Sequence, residues 1–177
     1  MFSVLQFAIL WIARQLWYSL PLFATLAAMA VTMAPANLFR GWAPAPDLVL
    51  ASVFFWAIFG PAFLPAFAVF LLGLAKDFAT GGPIGFWAVT YLVAYGFTLS
   101  QRVFFIGRSG PGVWFGFATV ASVTAIFAWL LGSIALARWV HPGPIVLQVA
   151  VTVLFYPLVS RVFTILRSLL SKAREAI

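Results

Sequence analysis

From Val113 to Ala137 the sequence carries no charged side chain, and Ile145 to Ile165 carries only Arg161. A helix as long as the first stretch reaches about 38 Å, beyond the roughly 30 Å hydrocarbon core of a bilayer. Apolar residues make up 65% of the 177 residues and charged residues 7%. A soluble domain of this length needs a charged surface to stay dissolved, so the bilayer is the solvent here. Lipid admits only helices or closed barrels, because every backbone polar group must find a partner within the protein. A barrel shows alternating strands of about ten residues; none are present. The sequence therefore predicts an all-α membrane protein, residues 1–177 forming a single polytopic domain.

Boundaries follow from the breakers. Residues 1–15, ending at Arg14 and Gln15, read as an interfacial helix or a cytoplasmic extension of the first span. Ala28-Met29-Ala30 has the form of a signal-peptide cleavage site, but the basic n-region is missing and the apolar run is too long. The first span covers Leu16 to Met33. Pro35, Asn37, Arg40, Gly41, Pro44 and Pro46 mark a loop, with Asp47 at the N-cap of the next helix. Leu48 to Phe59 and Ala62 to Ala75 are short runs separated by Gly60-Pro61. Each reaches only about 20 Å, so they are two tilted spans, a re-entrant hairpin or one broken helix. Ile84 to Leu99, Val113 to Ala137 and Ile145 to about Ile165 complete a set of about six helices. Pro157 is expected to kink the last of them, and 167–177 forms a short basic amphipathic tail.

The charges choose among the readings of residues 48–75. If the segment enters and returns, one side collects Arg14, Arg102, Arg108, Arg161, Arg167, Lys172 and Arg174. The other collects Arg40, Lys76 and Arg138. That excess matches the positive-inside rule, whereas a single broken helix spoils it. The hairpin is therefore preferred, spanning or re-entrant, with both termini cytoplasmic and Asp47 and Asp77 on the outer side. The net charge of +7 is spread over loops and tail, as topology signals are, and does not indicate nucleic acid. There is no cysteine, hence no disulfide or thiolate chemistry.

The most distinctive stretch is Gly73 to Gly85, which places Asp77 amid Gly73, Gly81, Gly82 and Gly85. A carboxylate near a span end can bind a cation, relay a proton or hold a partner's arginine. The structural alternative is that Asp77 closes the third helix by accepting N–H groups of the Thr80-Gly81-Gly82 turn. Lys76 and Asp77 do not face each other on a helix and are not read as a pair. The glycines permit positive φ and close helix contact. Ala24 and Ala28, Ala30 and Ala34, Ala62 and Ala66, and Ala121 and Ala125 have the spacing of close helix packing. Such faces serve the interior or meet another protein, a second copy of the chain included. Tyr91 and Tyr95 share a helix face and are expected to hydrogen-bond within the bundle. Trp11, Trp17, Trp42, Trp87, Trp114 and Trp139 fit interfacial belts. The basic tail suits anionic lipid or an acidic partner. Three acids and one histidine, His141, assemble no nucleophile–base pair and no metal cluster. The chain reads as a non-enzyme without cofactor or metal.

Two segments resemble a known family. Ala45-Pro46-Asp47-Leu48-Val49-Leu50 through Phe55-Trp56 is similar to the second segment of the rod-shape-determining MreD family. Gly73-x3-Asp77-x3-Gly81-x3-Gly85 resembles that family's turn between its third and fourth segments. Lys76 stands where the family usually has an apolar residue, and Phe55 where tyrosine is common. Leu99-Ser100-Gln101-Arg102 and the glycine–proline loops resemble proteobacterial members. The resemblance implies a non-enzymatic scaffold of the inner (cytoplasmic) membrane, binding MreC and coupling MreB to the RodA–PBP2 peptidoglycan synthase. It also implies a fold similar to the substrate-binding subunit of energy-coupling-factor vitamin transporters, which supplies the alternative function. Pro46, Asp47, Trp56, Gly73, Asp77, Gly81 and Gly85 are the expected structural or partner-binding residues. Ala24 and Ala28 would serve as a first-helix docking face.

Overall fold

A computed structural model describes residues 20–33, 44–107 and 110–175. The N-terminal segment 1–15, most of the loop with Asn37 and Arg40, and Arg108 lie outside them. The described residues are helical, without strands. In chain order they form α1 (Leu20–Met33), α2 (Leu48–Phe59), α3 (Ala66–Thr80), α4 (Phe86–Ser100) and α5 (Arg102–Phe105). The chain continues as α6 (Gly110–Ala135) and α7 (Gly143–Glu175). Segments Gly110–Ala135 and Gly143–Leu169 are long and apolar enough to cross a membrane. The chain is thus consistent with a helical membrane protein.

The core is built around α2, in which every residue from Val49 to Ile58 is buried. Its sequence has no polar face, and the fold gives it none: α4 and α7 pack along it, and α6 touches it. Phe54 sits edge-on to Phe105, Phe117 and Tyr156, with centroids at 5.6, 5.2 and 5.6 Å. Phe117 stacks on Tyr156 at 4.2 Å. The next two residues of α2, Phe55 and Trp56, both pack against Phe163 of α7.

The expected hairpin over 48–75 is corrected in two ways. First, the principal partner of α3 is α4, not α2. Gly73 explains the choice: a Cβ there would lie 2.3 Å from the Ala88 Cα. Only glycine lets the two backbones approach so closely. Second, α3 begins at Ala66 rather than Ala62 and continues to Thr80. Pro65, at its N-cap, disfavours helical conformation in the residue before it, which delays the start. At the other end the chain turns only at Gly81 and Gly85, with φ of 66° and 96°. Lys76 and Asp77 therefore belong to the helix, not to the connection.

The last helix is also longer than expected. Residues 167–175 continue α7 without a break, and Pro157 lies inside it. A proline here cannot donate to the carbonyl of residue 153. The Trp114 indole of α6 takes that place, donating to the Val153 oxygen at 2.9 Å. Trp114 is thus a helix-to-helix tie, a role that its expected place in an interfacial belt did not include.

Candidate functional site

The site is assembled where the N-terminus of α2 meets the C-terminal half of α3. Asp47 caps α2: its Oδ1 accepts the Leu50 N–H at 3.1 Å. A carboxylate is favoured there by the positive end of the helix dipole. Its own N–H donates to Thr152 Oγ1 of α7 at 2.9 Å. That hydroxyl in turn donates to the Gln148 carbonyl at 2.7 Å, and the Gln148 amide reaches the Ala45 oxygen at 3.4 Å. Pro46 is buried beside it and accepts the Leu48 N–H at 3.0 Å.

Lys76 of α3 donates to Asp47 Oδ2 at 2.7 Å, the one ion pair among the described residues. Both side chains are about one-tenth exposed. The Tyr91 hydroxyl of α4 lies 2.9 and 3.0 Å from the two carboxylate oxygens and donates to them. Lys76 also donates to the Tyr91 oxygen, and its Nζ stands 3.5 Å from the centre of the Trp87 ring. An ammonium has three protons. Here they face a carboxylate, a phenol oxygen and an indole π face, so the cation is fully engaged. Four helices, α2, α3, α4 and α7, are joined at this one cluster.

Asp77 sits one residue on and faces elsewhere. Its Oδ2 accepts the Gly85 N–H at 2.8 Å and its Oδ1 the Trp87 N–H at 2.8 Å. Gly85 is the N-cap of α4 and has no side chain to satisfy these donors. Asp77 caps α4 from the neighbouring helix. Its acceptors are therefore committed to residues 85 and 87, not to the expected 80–82 turn. Thr80 instead donates to the Lys76 carbonyl at 2.8 Å.

The structure thus brings Pro46 and Asp47 together, and separately joins Asp77 to Gly85, with Gly81 ending α3. Trp56 lies nine residues along α2, about 14 Å from Asp47. It is fully buried, and its indole N–H has no partner among the described residues. Ala24 and Ala28 are half-buried on α1, Ala24 packing on the core. Tyr91 does bond within the bundle; Tyr95 is buried in the apolar core. His141 is exposed, accepting the Gly143 N–H at 3.1 Å. Sequence reasoning missed Lys76, Trp87 and Thr152. The available signal was charge balance: Lys76 lies in an apolar segment on the same expected side as Asp47, and Asp77 cannot face it.

Chemically the cluster is closed. Each oxygen of Asp47 and Asp77 accepts at least one donor, and Lys76 retains none to offer. No group of three potential metal ligands occurs among the described residues. Comparison of the chain with protein-family models, with curated proteins and with solved structures finds no match.

Proposed function

We propose that this chain is a non-enzymatic scaffold of the bacterial inner membrane, acting in cell elongation as the MreD family does. The observation that carries this reading is the closed cluster of Asp47, Lys76 and Tyr91. A receptor or transporter keeps polar groups open toward its substrate. Here the buried ionisable side chains are spent on one another and on helix ends. They hold helices in register, which is what a scaffold requires of a membrane interior.

In this reading α1, α2, α3, α4, α6 and α7 make a six-helix bundle, and α5 lies at an interface. At 12 residues, about 18 Å, α2 is too short to cross alone and is enclosed by its neighbours. Asp47 and Arg102 stand at opposite ends of α2, in keeping with the expected sidedness. Both termini are then cytoplasmic. The partners are MreC directly, and MreB, RodA and PBP2 through the assembly.

The test is affinity purification of the tagged chain from its native membrane, read by mass spectrometry. The scaffold reading expects MreC together with the synthase pair. Recovery of an ATPase and its coupling protein with a bound vitamin would overturn it in favour of a transporter subunit.

A further inference from the structure

At the end of α2 away from Asp47, one guanidinium is held at a backbone carbonyl and a second stands over the ring of the last residue. Arg102 of α5 donates from Nε to the Ile58 carbonyl at 2.8 Å. The Arg167 guanidinium of α7 lies 5.4 Å from the centre of the Phe59 ring. Ile58 and Phe59 are the last two residues of α2, so one cation is fixed to the backbone of its last turn and the other to the side chain that ends it. The free carbonyls of a helix end carry about half a negative charge, which leaves the site strongly positive.

Among the described residues, no acidic side chain is paired with either arginine. Of the three acidic residues, Asp47 is paired at the far end of α2 and Asp77 caps α4. Glu175 is eight residues past Arg167, about 12 Å further along the helix axis. Arg102 spends one of its five N–H groups on Ile58. Among the described residues Arg102 makes no other hydrogen bond and Arg167 makes none.

The surroundings decide what kind of anion fits. Val103, Phe104 and Ile106 flank Arg102 and are 82%, 63% and 57% exposed, and Ile165 of α7 is 62% exposed. Unspent cationic donors ringed by exposed hydrocarbon select an amphiphile with an anionic head over a soluble acidic peptide. We propose that Arg102 and Arg167 bind the phosphodiester headgroup of an anionic phospholipid, whose acyl chains lie against the apolar side chains of α5.

The experiment uses the full chain in phosphatidylcholine nanodiscs titrated with phosphatidylglycerol, with retained lipid counted by native mass spectrometry. Preferential retention of phosphatidylglycerol is expected. Arg167→Gln should weaken it about fivefold, the usual effect of one cation near a charged lipid surface. Arg102→Gln/Arg167→Gln should bring it to the phosphatidylcholine level, while Arg138→Gln, beyond the far end of α6, leaves it unchanged. Because Arg167→Gln keeps the Ile58 hydrogen bond, it separates loss of the headgroup from loss of the fold. Equal retention of both lipids by the unmodified protein, or undiminished retention by Arg167→Gln, overturns the proposal. Displacement by millimolar inorganic phosphate as effective as by the lipid also overturns it, since free phosphate would then be the ligand.

Discussion

Replacing Lys76 by methionine tests the closed cluster most directly. The substitution keeps length and apolar volume but removes the ammonium from Asp47, Tyr91 and the Trp87 face. Asp47 would keep the Leu50 N–H at 3.1 Å and the Tyr91 hydroxyl at 2.9 and 3.0 Å. Breaking a buried ion pair by removing one partner costs about 3–5 kcal/mol, because the other charge stays buried. The two retained hydrogen bonds place the expected loss at the lower end, about 3 kcal/mol for Lys76→Met. Asp47→Asn should cost a similar amount, since it strands the ammonium. The double variant Asp47→Asn/Lys76→Met removes both charges, and asparagine still caps α2 and accepts from Tyr91. It should lose only about 1–2 kcal/mol, a coupling of several kcal/mol between sites 29 residues apart in sequence. Reversible unfolding in mixed micelles, followed by circular dichroism at fixed protein concentration, gives the four free energies. If the two single losses simply add in the double variant, Asp47 and Lys76 do not form the pair described.

Four further substitutions probe the helix contacts. Gly73→Ala drives a methyl to 2.3 Å from the Ala88 Cα and should cost about 1–3 kcal/mol by thermal melting in detergent. Gly96→Ala, with nothing within 4 Å, should be neutral or gain up to about 1 kcal/mol by the same measurement. Asp77→Ala strands the Gly85 and Trp87 N–H groups and should lose about 3 kcal/mol. Hydrogen exchange at those two amides should speed first, and on the proposed scaffold reading complex recovery and cell width should suffer. Thr152→Val removes the acceptor of the Asp47 N–H and should cost about 1–3 kcal/mol, with the N-terminus of α2 exchanging faster.

Local chemistry in the sequence located most helices, because apolar runs, prolines and glycines act over a few residues. Asp47 before an apolar run announced the start of α2, and Gly81 and Gly85 announced the turn. The places where expectation and structure diverge are tertiary. Whether α3 would choose α2 or α4 rested on one backbone contact, Gly73 on Ala88, that no local pattern specifies. Lys76 looked like a topology signal, since a cation near a span end usually reaches the interface. It turned inward because Asp47, Tyr91 and Trp87, supplied by α2 and α4, together satisfy all three of its protons. The continuation of α7 through Pro157 likewise depended on Trp114, 39 residues away, to occupy the freed carbonyl.

The enclosure of α2 also bears on how the protein is made. A ribosome delivers α2 before α4, α6 and α7, the helices that later form its walls. On the membrane reading, a nascent segment of 12 residues, about 18 Å, cannot bridge the hydrocarbon unaided, and Asp47 emerges ahead of its counter-ion. Its final position becomes available only after α7 has been synthesised. Until then the insertion machinery or a folding factor must shelter the segment. A chain that ends before Gly143 would lack one wall around α2 and one tie to Asp47, and quality-control proteolysis would find its target there.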